Sequence, residues 1–178
     1  MQRPVIELKS QSANTNVNYM NELLRYVEKV VFVVLQDNGI TCGEICSNLM
    51  IHRNYPPCLE LVYFGTFLMG RTKLTLPLNP DSVSPGAAEA YYLNKTMYID
   101  NTMSDTYRRF FSEAKPYRSI ISIPIQDGSG GVFAVLNIDS DVQGQFSSTD
   151  FINKKILPAV NSLILLVKLE KDLLVIGP

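Results

Sequence analysis

The strongest constraint on this fold lies between Ser119 and Ile138. Two apolar, β-rich runs, Ser119–Ile125 and Gly131–Ile138, flank Asp127-Gly128-Ser129-Gly130, a turn of glycine and short polar residues. Strands this apolar belong at the centre of a sheet, and Leu136 is expected to be buried there. Phe146 follows, and then Ser147-Ser148-Thr149-Asp150, which offers a capping box for a helix running to about Val175. Ile152, Ile156, Val160, Leu163, Leu166, Leu169 and Leu173 recur at helical steps along it, and Pro158 is expected to kink it.

Upstream, Met1–Thr15 is read as a flexible lead, because its polar residues give little to bury. A helix is expected from Asn16 or Asn18, with Met20, Leu23, Val27, Val30, Val31 and Val34 on one face and Asp37-Asn38-Gly39 as its end. Cys46–Ile51 and Leu59–Phe64 are strand signals around the turn-forming Arg53–Pro57. Lys73–Leu78 alternates like a half-exposed strand, and Pro77 puts it at an edge or strand end. Ser84 and Pro85 are expected to open a short helix to Tyr92. Met97–Ile99 reads as a short strand and Asp105–Ala114 as an amphipathic helix stopped by Lys115-Pro116. The order is that of an α+β domain around an antiparallel sheet of about six strands. Residues 16–178 are expected to form a single domain.

The net charge is −1, and basic residues occur at most two in a row. That disfavours a nucleic-acid-binding face, which needs clustered lysine and arginine. No apolar run approaches the ~20 residues that span a bilayer, and the polar N-terminus lacks the apolar centre of a signal peptide, so no membrane insertion and a cytoplasmic location are expected. The three cysteines, Cys42, Cys46 and Cys58, are too few for a disulfide framework. With His52, the one histidine, they do not have the spacing of a closed zinc module, so no metal site is expected. No Gly-x-Ser-x-Gly motif accompanies His52, and no catalytic residue is assigned.

The stretch Tyr117-Arg118-Ser119 to Pro124, the strand Leu136-Asn137-Ile138-Asp139-Ser140 and the run Phe146-x-x-x-Asp150 together resemble the C-terminal half of a GAF domain, a small-molecule-sensing module. Pro85–Ala90 and Asn94–Asp100 are similar to that family's small-residue helix and following strand. Asn48-Leu49-Met50 and Leu61–Phe64 match its first two strands by pattern. The resemblance spans roughly Tyr19–Val167. It implies terminal helices on one face of the sheet and a ligand pocket under short helices on the other. It also implies a non-enzymatic, dimeric sensor, normally found beside effector domains. The family's methionine sulfoxide reductases, bilin binders and cyclic-nucleotide binders carry cysteine, Cys-His and Asn-Lys signatures that are not matched here: residues 59–178 hold no cysteine, and Ile138 follows Asn137.

The residues expected around the pocket are Asn48, Tyr98, Asp100, Asp105, Tyr107, Arg109, Tyr117, Arg118 and Ser119. Their aromatic rings offer stacking surface and their charges offer polar handles at strand ends. The ligand and any cofactor are not identified by the sequence. The two terminal helices carry more apolar surface than one sheet face covers, since Val30–Leu35 is apolar on every side. A homodimer through these helices is the expectation. The alternatives are a dimerisation scaffold with a vestigial pocket and a small redox enzyme.

Overall fold

The computed structural model describes residues 4–66, 75–111 and 115–169, with side chains described from Tyr19 onward. Parts of three expected elements lie outside these residues: Lys73-Leu74 of an edge strand, Ser112–Ala114 of the amphipathic helix, and the C-terminal helix beyond Leu169. The strands are β1 (Ile45–Asn54), β2 (Pro57–Phe64), β3 (Thr75–Pro77), β4 (Met97–Ile99), β5 (Ser119–Gln126) and β6 (Val132–Ser140). They form one sheet in the order β3-β2-β1-β6-β5-β4, every neighbouring pair antiparallel. The α+β class and the six-stranded antiparallel sheet expected from the sequence are what the chain adopts. β6, the most continuously buried strand, sits at the centre, and Leu136 is fully buried there. Pro77 does lie in the edge strand, where a missing N–H costs no ladder bond.

Each central strand sends alternate side chains to opposite faces. Leu49, Ile51, Ile121, Ile123, Leu136 and Ile138 face the terminal helices and join Leu24, Val27, Val31, Leu35, Ile156, Val160 and Leu163 in the main core. Phe146 closes this core and is almost completely buried. Met50, Leu59 and Val135 point the other way, onto the small residues Ala87, Ala88 and Ala90 of α2 (Ala87–Leu93). Alanines bring this short helix close to the sheet, which is the arrangement the resemblance implied.

Helix α1 runs Pro4–Asp37, so it starts well before the expected asparagine caps and takes in most of the segment expected as a flexible lead. Pro4 at its start has the fixed φ that a first helical turn uses. One polar side chain on its buried face fastens it. Glu28, only 7% exposed, accepts from the Ser47 and Thr66 backbone N–H groups at 2.7 Å each. It also accepts from Thr66 Oγ1 at 2.6 Å and Ser47 Oγ at 3.2 Å. Gly65 is what permits this approach, because a Cβ there would collide with Glu28 Oε1 and lie 2.9 Å from the Arg25 backbone nitrogen.

The C-terminal rod comprises α4 (Thr149–Phe151), a π-helical turn (Ile152–Ile156) and α5 (Leu157–Leu169). Ser148 caps it, its Oγ accepting from Phe151 N–H. A kink was expected at Pro158; what the structure shows there is a π-helical turn just before it, continuing into α5. Proline crowds the carbonyl four residues back, here Lys154, and a widened turn relieves that contact. Helix α2 departs from expectation at its start. Its N-cap is Gly86, at φ 88°, rather than Ser84, and no side chain caps it. The amphipathic helix is shorter than expected: α3 spans only Asp105–Arg108, opened by Ser104. Among the described residues no helix is long and apolar enough to cross a membrane.

Candidate functional site

A cavity of about 50 Å³ lies between the sheet and the short helices. Its floor is β1, β6 and β5, contributing Asn48 and Met50, Asn137 and Asp139, and Ile120 and Ser122. Pro85, Gly86 and Ala87 roof it, and Tyr107, Phe111, Lys115 and Tyr117 form one side. Gly86 belongs there for a steric reason. Its positive φ disfavours any side chain, and a Cβ would press on Ile99 Cδ1 at 3.3 Å.

Strand register builds the floor. Asn48 stands opposite Asn137 across β1 and β6, and Ser122 stands opposite Asn137 across β5 and β6. The three side chains therefore lie in one row across the central strands, on the cavity face. Ser122 Oγ donates to Asn137 Oδ1 at 2.7 Å, and Asn137 Nδ2 donates to Asn48 Oδ1 at 2.9 Å. Asn48 Nδ2 then donates to Asp139 Oδ2 at 3.1 Å. All four are buried, Asp139 to 2% exposure. A fully polar row in the middle of a sheet face contributes less to packing than apolar side chains of the same size would. Above it the wall is aromatic. The Tyr107 and Phe111 rings are 4.7 Å apart, and the Tyr107 and Tyr117 hydroxyls are 3.3 Å apart. Thr102 Oγ1 donates to the Tyr117 carbonyl at 2.7 Å and ties the wall to the loop before α3. The Lys115 ammonium lies 5.3 Å from the centre of the Phe111 ring.

Of the residues expected at the pocket, the structure brings Asn48, Tyr107 and Tyr117 together at this cavity. The others lie elsewhere. Tyr98 packs against the main core, on the helix face of the sheet, and its hydroxyl donates to Asn153 Oδ1 at 2.8 Å. Strand β4 pairs in a register that turns this ring away from the cavity. Asp100 is exposed and uses its carbonyl to accept from Gly144 N–H at 2.7 Å. Asp105 and Arg109 are exposed at the two ends of α3. Arg118 braces the loop through its backbone, donating to Ser140 O at 2.6 Å and accepting from Thr102 N at 2.8 Å. Ser119 is fully buried, its Oγ donating to the Val142 carbonyl at 2.8 Å.

Sequence reasoning missed Ser122, Asn137 and Asp139. A signal was present: polar residues at two-residue spacing inside strands that are otherwise apolar and buried on both faces. At the far end of β1 the His52 ring packs 4.9 Å from Tyr91. Burial lowers the His52 pKa below its ordinary value and raises that of Tyr91.

No protein-family model matches the sequence, and no curated protein matches it. Solved structures do match. The GAF domain region of a protein from Geobacter sulfurreducens PCA has TM-score 0.55 at 17% identity, covering 83% of this chain and 94% of that one. The nlh2 GAF domain of A. aeolicus in an inactive state has TM-score 0.51 at 14% identity, covering 92% and 98%. The free methionine-R-sulfoxide reductase from Neisseria meningitidis, in complex with its substrate, has TM-score 0.50 at 15% identity, covering 80% and 77%. This last likeness corrects one expectation. The chain was expected not to be an enzyme, yet its fold is shared with reductases, so the architecture gives no ground for excluding catalysis. The topology, the helices on either face and these likenesses together establish that this chain has the GAF fold.

Proposed function

We propose that this domain binds a small molecule between the sheet and α2–α3 and acts as a sensory or regulatory dimer. The observation that carries the reading is the Ser122–Asn137–Asn48–Asp139 row on the cavity floor. Packing alone gives no reason for four buried polar side chains there, whereas a ligand that exchanges hydrogen bonds with them does. Drug-sized ligands occupy about 300–1,000 Å³. The cavity of about 50 Å³ has room for a ligand's polar head. That small volume is also what favours the second reading, a dimerisation scaffold whose pocket is vestigial.

The dimer is supported by the apolar residues that the terminal helices leave exposed: Tyr26, Phe32 and Val33 on α1, and Leu165 and Leu169 on α5. A helix bundle built on them would bury upwards of ~1,200 Å² in a two-fold assembly. Strand β1 offers a route from pocket to helix, because Asn48 faces the cavity while its neighbour Ser47 binds Glu28 of α1. A thermal-shift screen of nucleotides, amino acids and other metabolites tests the ligand. A specific binder at a hundredfold excess over its Kd adds ~2.7 kcal/mol of stability. The absence of any stabilising compound would leave the scaffold reading ahead. Sedimentation at micromolar concentration tests the dimer, and a strict monomer would refute it.

A further inference from the structure

We propose that the group this cavity receives is a carbonyl, whose oxygen accepts one N–H from Asn48 and one from Asn137, with the apolar body of the ligand lying against Tyr107 and Phe111. This rests on the small-molecule reading above and names the chemistry of the same site.

The floor has more polar hydrogens than it spends. Ser122 carries one on its hydroxyl, and Asn137 and Asn48 carry two each on the amide nitrogen. The bonds from Ser122 Oγ to Asn137, from Asn137 Nδ2 to Asn48 and from Asn48 Nδ2 to Asp139 take one hydrogen from each residue. Each amide keeps one N–H that no described residue accepts. The tally is the same if the row runs the other way, because each amide nitrogen then still donates once within it. The two N–H bonds of a planar amide diverge, so with one along the row the other points off it. The sheet backbone lies beneath, and the cavity is the open side. Asn48 is 3% exposed and Asn137 6%, so bulk water is largely shut out from these hydrogens. A buried N–H left unmet is costlier than an unfilled lone pair, and the occupant that answers it is an acceptor. A carbonyl oxygen has two lone pairs, which suits two donors standing opposite each other on β1 and β6. A hydroxyl or amine head would bring further hydrogens to a floor that already has a surplus. Size agrees too. A cavity of about 50 Å³ holds roughly three water-sized groups, enough for a carbonyl and the carbon next to it. Met50, Ile120 and the rings of Tyr107 and Phe111 offer apolar contact to the carbons behind it.

The test is a titration of the whole chain with acetophenone and with α-methylstyrene, followed by tyrosine-ring NMR signals. The two have nearly the same shape, and a methylene stands in the second where the first has its oxygen. Both are uncharged, so the comparison does not turn on the charge of Asp139 or of the cavity wall. The expected result is that acetophenone binds more tightly by roughly tenfold or more, because the hydrocarbon leaves the buried donors unmet. The double change Ser122→Ala with Asn137→Leu removes one donor together with its partner in the row. It is expected to cut that advantage by roughly threefold or more while the hydrocarbon binds at least as well as before. The ranking on the unmodified chain stands without the variant. Equal or tighter binding of the hydrocarbon would overturn the carbonyl assignment while leaving the pocket in place. So would an advantage that is undiminished in the double variant. If neither compound perturbs Tyr107 or Tyr117, the carbonyl assignment falls, and the thermal-shift screen alone then decides whether the cavity takes any small molecule.

Discussion

Replacing Glu28 separates what its carboxylate does from what its bulk does. In the native chain Oε1 accepts three hydrogen bonds, from Ser47 N, Ser47 Oγ and Thr66 N, and Oε2 accepts one from Thr66 Oγ1. Glu28→Ala removes all four acceptors. Ser47 Oγ keeps its bond to the Leu24 carbonyl at 3.0 Å, and exposed Thr66 turns to water. Ser47 N–H, in a residue 1% exposed, is left without its acceptor. An orphaned buried donor costs ~1–3 kcal/mol, and the lost charge-assisted bonds bring the expected destabilisation to about 2–4 kcal/mol. Glu28→Gln retains the oxygen that takes three of the bonds, and the new amide can donate to Thr66 Oγ1, so its cost is expected near ~1 kcal/mol. Urea denaturation of both variants, with unchanged slope, reads the order directly from the midpoints. An alanine variant within about 0.5 kcal/mol of the native chain would refute the clamp, since that is the range of an uninvolved surface change. A glutamine variant as costly as alanine would show that net charge, rather than the acceptor geometry, fastens α1.

Leu136→Ala, at a fully buried position of the central strand, is expected to lose ~2–5 kcal/mol in the same assay; a near-neutral result would contradict its placement. Gly86→Ala forces a side chain to φ 88° and against Ile99, with an expected loss of ~1–3 kcal/mol and a disturbed Tyr107–Tyr117 region in NMR spectra; full native stability would mean that the α2 turn is drawn wrongly. His52 is the single histidine, so its ring protons titrate without overlap. Burial favours the neutral ring, so its contribution to stability is complete above the ordinary pKa of 6.5 and falls away as pH drops below it. A measured value at or above 6.5 would remove the argued contact with Tyr91.

Much of this architecture was legible in the sequence because it depends on local patterns. Ser119–Ile125 and Gly131–Ile138, joined by Asp127–Gly130, became β5 and β6, since apolar continuity and turn chemistry are properties of neighbouring residues. Ser148 capped its helix and Pro77 took an edge for equally local reasons. The start of α1 at Pro4 and the π-helical turn before Pro158 were less legible, because packing against the core and the strain of one ring decide them over several turns. The cavity lining was legible only in part. Asn48, Tyr107 and Tyr117 were expected there, yet Tyr98 and Ser119, both on strands, turned to the other face. A strand's pattern shows that two faces exist, but one step of register decides which face meets which helix. The same register, linking three strands far apart in the chain, brought Ser122, Asn137 and Asn48 into one row and left Asp139 buried beside them. The sequence by itself determined that there would be strands, their polarity and a sheet to hold them. Only the pairing of strands distant in the chain decided which polar side chains share one buried cavity.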